Sequence, residues 1–111
     1  MGIAPTGFTR MMNHEGEAAV GRVAQRNGIP MGLSTMATTS IEDLAAAAPD
    51  ARKWFQLYVY RDREITRGLV ERAVAAGYSA LCLTVDTPLA GNRERDRRNH
   101  LRMPAHLELG N

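Results

Sequence analysis

Three apolar stretches recur along this chain at an almost constant interval, and this interval constrains the fold more than any other feature. Their central leucines, Leu33, Leu57 and Leu83, are 24 and 26 residues apart. About 25 residues accommodate one strand, one helix and two short connections. The interval therefore predicts consecutive βα units, whose strands lie parallel in one sheet.

The predicted elements alternate between strand and helix. Apolar and β-branched patterns predict strands at residues 2–4, 29–35, 53–60 and 79–85. Helices are predicted at about 14–25, after 40 as far as Pro49, and at about 63–76, the first with an apolar stripe of Ala18, Ala19, Val20, Val23 and Ala24. Asn13, Ser40 and Asp62 are the predicted N-caps, and Gly28 and Gly77 the predicted helix ends. Beyond Asp86 the chain is expected to be polar and irregular.

Two α/β architectures fit about four parallel strands with intervening helices. One is a partial (β/α)₈ barrel, and the other is a four-stranded doubly wound sheet. A barrel needs about 250 residues, so on the barrel interpretation these 111 residues are a piece of the domain. A self-contained four-stranded binding domain remains a third interpretation.

Composition restricts the partners and the compartment. A formal net charge of +2 is too small to predict a nucleic acid or an anionic membrane as partner. The single cysteine, Cys82, lies in an apolar strand, so we expect a buried thiol and no internal disulfide. The sequence contains no targeting pattern and no apolar run that could span a bilayer, so a cytoplasmic location is expected.

Polar residues gather where each predicted strand ends: Pro5, Thr6 and Gly7, then Ser34 and Thr35, then Gln56 and Tyr58, and finally Thr84 and Asp86. Since the carboxyl ends of parallel strands share one edge, these groups predict a polar ligand there. The alternative is that they only satisfy loop backbone and water. Asp86 and Arg93 together suit a site that holds a cationic group and an anionic substrate.

Other motifs exclude several kinds of site. The glycines form neither a dinucleotide-binding nor a Walker A motif. The three histidines, His14, His100 and His106, have no metal-ligand spacing, so no metal site is expected. The arginines at 93, 95, 97 and 98 alternate with acidic residues and lack interleaved aromatics, which argues against nucleic-acid binding.

Five stretches, read in order, resemble the FMN-dependent 2-hydroxy-acid oxidoreductases, which include glycolate oxidase, L-lactate dehydrogenase and mandelate dehydrogenase. They are residues 4–7 (APTG), 14–17 (HEGE), 33–42 (LSTMATTSIE), 54–59 (WFQLYV) and 84–88 (TVDTP), the last continuing to Arg93 and Asn99. They cover nearly the whole chain. The resemblance implies that residues 1–111 are a single partial domain, the first half of a TIM barrel that holds FMN at its C-terminal rim.

The resemblance also implies roles for individual residues. Cofactor-binding residues would be Pro5, Thr6 and Gly7 through their backbone, and Ser34, Gln56 and Thr84 at the polar edge of the flavin ring. Tyr58 would hydrogen-bond the 2-hydroxy-acid substrate, and Arg93 would bind its carboxylate. Gly7 and Met36, the latter where several members carry tryptophan, would line the pocket for the substrate side chain. Asp86, catalytic together with Tyr58, would stabilise the protonated form of a catalytic histidine.

That histidine lies in the later half of the family's barrel, and neither His100 nor His106 matches its motif. We therefore expect the isolated chain to be inactive. Its expected partners are the missing C-terminal half or further copies of itself. The competing interpretation is a truncated, non-enzymatic remnant or one half of a split enzyme.

Overall fold

Three parallel strands and the helices between them form the centre of the structure. The computed structural model describes residues 1–86 and 91–111. The strands β1 (Met31–Ser34), β2 (Lys53–Leu57) and β3 (Ala80–Leu83) pair in the order β1-β2-β3. The helices are α1 (Gly16–Arg26), α2 (Ile41–Ala47), α3 (Arg63–Ala75) and α4 (Glu94–Arg98), with a 3-10 turn at Thr9–Met11. Within the described residues, no helix is long and apolar enough to cross a membrane.

The predicted strand at residues 2–4 is reduced to a single parallel bridge between Ile3 and Met31. Gly32 N–H donates to the carbonyl of Ile3 at 2.9 Å. Pro5 then lies so close to Gly32 that a Cβ there would be 2.8 Å from the proline Cδ. Because proline has no N–H to donate, the ladder ends at this point. The α/β class and the parallel sheet are confirmed, with three strands and a bridge in place of four strands.

Most of the predicted helix signals are confirmed. The Ser40 hydroxyl accepts from Asp43 N–H at 3.0 Å, and the Asp62 carboxylate accepts from Glu64 N–H at 2.9 Å. Gly28 and Gly77 end their helices with φ of +63° and +74°. The prediction for Asn13 is wrong: α1 begins at Gly16 after Glu15, and Asn13 Oδ1 accepts from Glu15 N–H outside the helix.

The buried face of α1 also differs from the predicted apolar stripe. Val23 is 41% exposed, whereas Glu17 is only 2% exposed. The helix is turned so that Gly21 faces α2, where a Cβ would be 2.5 Å from Leu44 Cδ1 and 3.2 Å from Ala48 Cβ. Of the predicted stripe, Ala24 is fully buried and Val20 packs against the core, so the prediction is confirmed in part, and the close approach of the two helices determines the rest of the buried face.

The core lies between the sheet and helices α1 to α3. Phe55, Leu33, Ile41 and Leu44 are its large, fully buried apolar side chains. Tyr78 packs edge-on against Phe55 with ring centres 6.1 Å apart, and its hydroxyl donates to the carbonyl of Ile41 at 3.1 Å. Burial raises the pKa of the Tyr78 hydroxyl well above its usual range. The phenol thus stays protonated and ties the chain before β3 to α2.

The last strand is exposed, which corrects the prediction for Cys82. Its thiol is exposed, and Leu81 and Leu83 are 45% and 56% exposed. The reason is that no described helix packs extensively on the faces of β3, which is also an edge strand of the sheet. An apolar strand sequence predicts burial only when both faces of the strand are covered.

The segment after Asp86 contains a short helix where irregular structure was expected. In α4, Arg98 pairs with Glu94 one turn earlier at 3.2 Å. Acidic residues occupy the first turn of α4 and arginines occupy the last, which complements the helix dipole. Residues 87–90, which carry part of the motif that starts at Thr84, lie outside the described residues.

Candidate active-site cleft

An open cleft of about 790 Å³ lies at the carboxyl ends of the strands. Three of its lining residues come from the loop after the first bridge, two from the end of β1, three from the chain after β2, two from the chain after β3, and one precedes α4. They are Thr6, Gly7, Phe8, Ser34, Met36, Tyr58, Val59, Tyr60, Thr84, Val85 and Arg93. The parallel sheet thus brings together side chains that are up to 87 residues apart in sequence.

A chain of hydrogen bonds crosses the floor of this cleft from strand to strand. Ser34 Oγ donates to Gln56 Oε1 at 3.1 Å, and Gln56 Nε2 donates to Thr84 Oγ1 at 2.6 Å. The backbone N–H of Thr35 also donates to Gln56 Oε1, at 3.2 Å. Since an N–H can only donate, this contact fixes which end of the Gln56 amide faces Thr84.

The same hydrogen bonds determine what the floor can offer to a ligand. The Ser34 hydroxyl donates to Gln56 and accepts from Met36 N–H at 3.1 Å, so toward a ligand it can only accept. Thr84 accepts from Gln56 and can still donate its own hydroxyl proton. Gln56 is only 6% exposed and lies behind the lining residues, where it orients both hydroxyls. The floor thus combines an acceptor with a donor.

A mainly apolar wall stands beside this polar floor. Gly7 is in close contact with Met36: a Cβ on Gly7 would be 3.1 Å from Met36 Cβ. Phe8 N–H donates to the carbonyl of Met36 at 2.9 Å. Phe8 adopts a left-handed conformation with φ of 57°, which is uncommon for a residue with a bulky side chain.

Two predicted substrate-binding residues, Tyr58 and Arg93, also line the cleft. The Tyr58 backbone N–H donates to Thr35 Oγ1 at 3.2 Å, and its ring is half-buried. The Arg93 side chain is 83% exposed, and the nearest acidic partner in the described chain is Asp96 at 3.7 Å. Most of the Arg93 guanidinium donors are therefore available to an anion.

Three predicted residues are not among the lining residues. Pro5 packs on Gly32, Gln56 lies behind the floor, and Asp86 is exposed beyond the cleft. No histidine lines the cleft in the part of the chain that the structure describes. The same described residues contain no cluster of His, Cys, Asp and Glu side chains suited to a metal ion.

Sequence reasoning gave no role to Glu17, which is the most deeply buried acidic residue near the cleft. Burial is the largest influence on its pKa and raises it. Hydrogen bonds, chiefly from Thr38 N–H and the Thr39 hydroxyl, together outweigh that effect and leave the pKa below its usual value. A glutamate in an alanine-rich helix gives no local signal of burial, because its principal partners, Thr38 and Thr39, are 21 and 22 residues away in sequence.

A comparison with protein families indicates which kind of domain forms this cleft. The family model described as FMN-dependent dehydrogenase matches residues 1–111. The chain belongs to this family. All the elements that form the cleft lie within the matched residues, so the cleft is a feature of an FMN-dependent dehydrogenase domain.

Individual relatives and solved structures agree with this membership. The chain is 56% identical to a protein of Mycobacterium tuberculosis that carries the provisional name L-lactate dehydrogenase, and the match covers 97% of this chain. It is 50% identical to an L-lactate oxidase of Nostoc sp. over 98% of the chain, and 46% identical to human 2-hydroxyacid oxidase 1 over 98%. A mandelate oxidase mutant with a C4a-OH-FMN adduct superposes with a TM-score of 0.94 at 40% identity and covers the whole chain.

The chain matches only part of each relative. It spans 26%, 31% and 30% of the three relatives named above, and 33% of the mandelate oxidase chain. A soluble mutant of the (S)-mandelate dehydrogenase of Pseudomonas putida shows the same proportion, with a TM-score of 0.90, 45% identity and 30% of that chain covered. The chain therefore spans about a third of the length of the relatives and solved structures that it matches.

The cleft fits the cofactor of the family. A flavin ring is flat and apolar over its faces, and carries both donors and acceptors along one edge. The described cleft offers the matching surfaces, namely a wall of Gly7, Phe8 and Met36 beside a floor with one acceptor, Ser34, and one donor, Thr84. Arg93 is the one cation among the described lining residues, so the cleft suits the ring better than the phosphate.

Proposed function

We propose that this chain forms the flavin-ring and substrate-carboxylate part of an enzyme that oxidises a small 2-hydroxy acid to a 2-oxo acid. The observation that carries the proposal is the hydrogen-bonded chain of Ser34, Gln56 and Thr84 on the floor of a cleft that also contains Tyr58 and Arg93. FMN supplies the electron acceptor of this oxidation when it is bound. The remaining part of the barrel and a small 2-hydroxy acid are the proposed partners, and we place the enzyme in the cytoplasm.

The cofactor is held from two sides in this proposal. Pro5, Thr6 and Gly7 contact it through their backbone, which Pro5 anchors by packing on Gly32. Ser34 accepts from the polar edge of the ring, and Thr84 donates to it. Gln56 holds these two hydroxyls and retains one N–H of its own for the same edge. These contacts adjust the electron affinity of the ring without taking part in proton transfer.

The substrate is held by its carboxylate and its hydroxyl. Arg93 offers a planar fork of donors that matches a carboxylate. Tyr58 lines the cleft, and its hydroxyl is the group that binds the substrate hydroxyl in this proposal. Gly7 and Met36 contact the substrate side chain, and the small size of Gly7 leaves room there. Tyr58 and Asp86 are the proposed catalytic residues of this chain, and Asp86 stabilises the cationic form of a base that the rest of the barrel supplies.

A fusion protein tests this proposal. We suggest joining this chain to the remaining C-terminal part of the Nostoc L-lactate oxidase and refer to the product as the fused enzyme. It should be yellow, and lactate should bleach its visible spectrum when oxygen is excluded. A well-folded fused enzyme that binds no flavin would contradict the proposal.

Two hydroxyl groups at opposite ends of β3 provide a sharper test. Thr84→Val removes the donor on the cleft floor, and we expect it to weaken FMN binding about two- to tenfold. Ser79→Ala removes a hydroxyl that donates to the carbonyl of Lys53 at the other end of the strand. This control should leave FMN affinity unchanged. Equal FMN dissociation constants for the two variants would remove Thr84 from the flavin site.

A further inference from the structure

The carboxylate of Glu17 gathers donors from two separate parts of the chain. Its Oε1 accepts from Thr38 N–H at 3.0 Å, and its Oε2 accepts from the Thr39 hydroxyl at 2.7 Å. The Thr38 hydroxyl lies 3.2 and 2.9 Å from the two carboxylate oxygens. Thr9 N–H approaches Oε1 from the other side at 3.4 Å. The loop after β1 and the turn before α1 therefore meet on one buried charge.

The second link between these segments passes through Thr38. Its hydroxyl oxygen accepts from Arg10 N–H at 3.1 Å while the hydroxyl proton points to Glu17. The backbone N–H of Thr9 thus donates to Glu17, and the backbone N–H of Arg10 donates to Thr38, whose hydroxyl is bonded to Glu17. Phe8 is the left-handed residue of the cleft wall, and such a conformation persists only where surrounding contacts enforce it.

We propose that Glu17 is a positioning residue that, through Thr38, fixes the left-handed turn at Phe8 and with it the Gly7–Phe8 wall of the cleft. Phe8 N–H is bonded to the carbonyl of Met36, and Thr38 follows Met36 by two residues. Glu17 consequently fixes both segments that form the Gly7–Met36 contact, namely the turn after Phe8 and the loop after β1. The effect on substrate choice rests on the proposed function, whereas the effect on the turn does not.

Two adjacent threonines form a matched pair for the test. Thr38 and Thr39 are 4% and 1% exposed, and both hydroxyls contact Glu17, but only the Thr38 oxygen accepts from Arg10. In the fused enzyme, we expect Thr38→Val to speed hydrogen exchange in the peptide of residues 8–12 roughly fivefold relative to Thr39→Val. Thr38→Ser keeps the hydroxyl and should restore slow exchange.

Glu17→Gln should speed exchange in the same peptide, whereas Glu15→Gln should not, since Glu15 is exposed and pairs with Arg22 at the surface. Equal exchange in the Thr38→Val and Thr39→Val variants would overturn the proposal. So would unchanged exchange in a folded Glu17→Gln variant.

Activity then separates this inference from the proposed function. Relaxing the wall should raise kcat/KM for mandelate relative to lactate about two- to fivefold in Thr38→Val and leave the ratio unchanged in Thr39→Val. Faster exchange in a fused enzyme that never binds flavin would support the positioning role and contradict the proposed function. Normal flavin binding and turnover with no exchange difference would contradict the positioning role alone.

Discussion

The missing side chain of Gly7 leaves space in the cleft beside Met36. A Cβ at this position would lie 3.1 Å from Met36 Cβ and 3.3 Å from the Met36 carbonyl oxygen. The methyl group of Gly7→Ala therefore presses on the Met36 wall. In the fused enzyme we expect this variant to lower kcat/KM for mandelate more than for lactate, because the larger side chain needs the space that the methyl group takes.

Gly68 provides the control for this prediction. It lies on α3, and nothing lies within 4 Å of an added Cβ. Gly68→Ala should leave the ratio of the two kcat/KM values unchanged. Steady-state kinetics with both substrates measure the effect, and equal losses for mandelate and lactate in Gly7→Ala would exclude Gly7 from the side-chain pocket.

The charge of Glu17 makes the stability of the cleft wall depend on pH. Its folded-state pKa lies below the usual value, so its ionised form is favoured by folding. The stabilisation is complete above the unfolded pKa of about 4.3 and is lost as the pH falls through the lower folded value. We expect Glu17→Gln to cost about 1–3 kcal/mol at pH 7.

The difference in the free energy of unfolding between the wild type and Glu17→Gln should be smaller at pH 3 than at pH 7. Melting temperatures of the fused enzyme at both pH values measure it, with the exposed Glu15→Gln as control. A difference that is as large at pH 3 as at pH 7 would show that the glutamine variant perturbs packing and that charge is not the cause.

At the scale of secondary-structure elements, the end of α2 depends on the only lysine of the chain. Lys53 is 3% exposed, and its Nζ donates to the carbonyls of Ala48, Pro49 and Ala51 at 3.3, 2.9 and 3.2 Å. All three ammonium protons are therefore used. A cation beside the last carbonyls of a helix also complements the helix dipole.

We expect Lys53→Met to destabilise the fused enzyme by about 1–3 kcal/mol, because it leaves buried carbonyls without donors. Flavin affinity should not change, since Lys53 begins β2 and the cleft lies at the other end of that strand. Thermal unfolding and flavin titration measure the two effects. Arg52→Met, at the exposed neighbouring position, is the control. Weaker flavin binding in Lys53→Met would show that the two ends of the strand are coupled.

At the scale of the whole molecule, the exposed apolar edge strand β3 determines how the chain is expected to associate. Leu81, Leu83 and Val85 are 45%, 56% and 80% exposed, and the edge of β3 has no partner strand among the described residues. An exposed apolar edge strand favours association with other chains.

We therefore expect the isolated 111-residue chain to self-associate, to retain FMN only weakly and to show no turnover of lactate. Size-exclusion chromatography and a visible spectrum are sufficient measurements, with the fused enzyme as the positive control. A yellow monomer that lactate bleaches would contradict this prediction.

The sequence by itself determined the features that depend on neighbouring residues. The interval between Leu33, Leu57 and Leu83 determined parallel βα units, because each interval contains one strand and one helix and both are recognisable from neighbouring residues. The caps at Ser40 and Asp62 were predictable because each side chain reaches a backbone N–H only two or three residues away. The same local order placed Ser34, Gln56 and Thr84 at strand ends, and hence at one edge.

Only the tertiary structure decided which side chains are buried and what they contact. Glu17 is buried because Thr38 and Thr39, more than 20 residues later, supply its donors. The face of α1 depends in part on the approach of Leu44 to Gly21, and Cys82 is exposed because no described helix packs extensively on the faces of β3. Local patterns carry no information about such distant partners, and the free energy of burying a charge or a thiol is set by those partners.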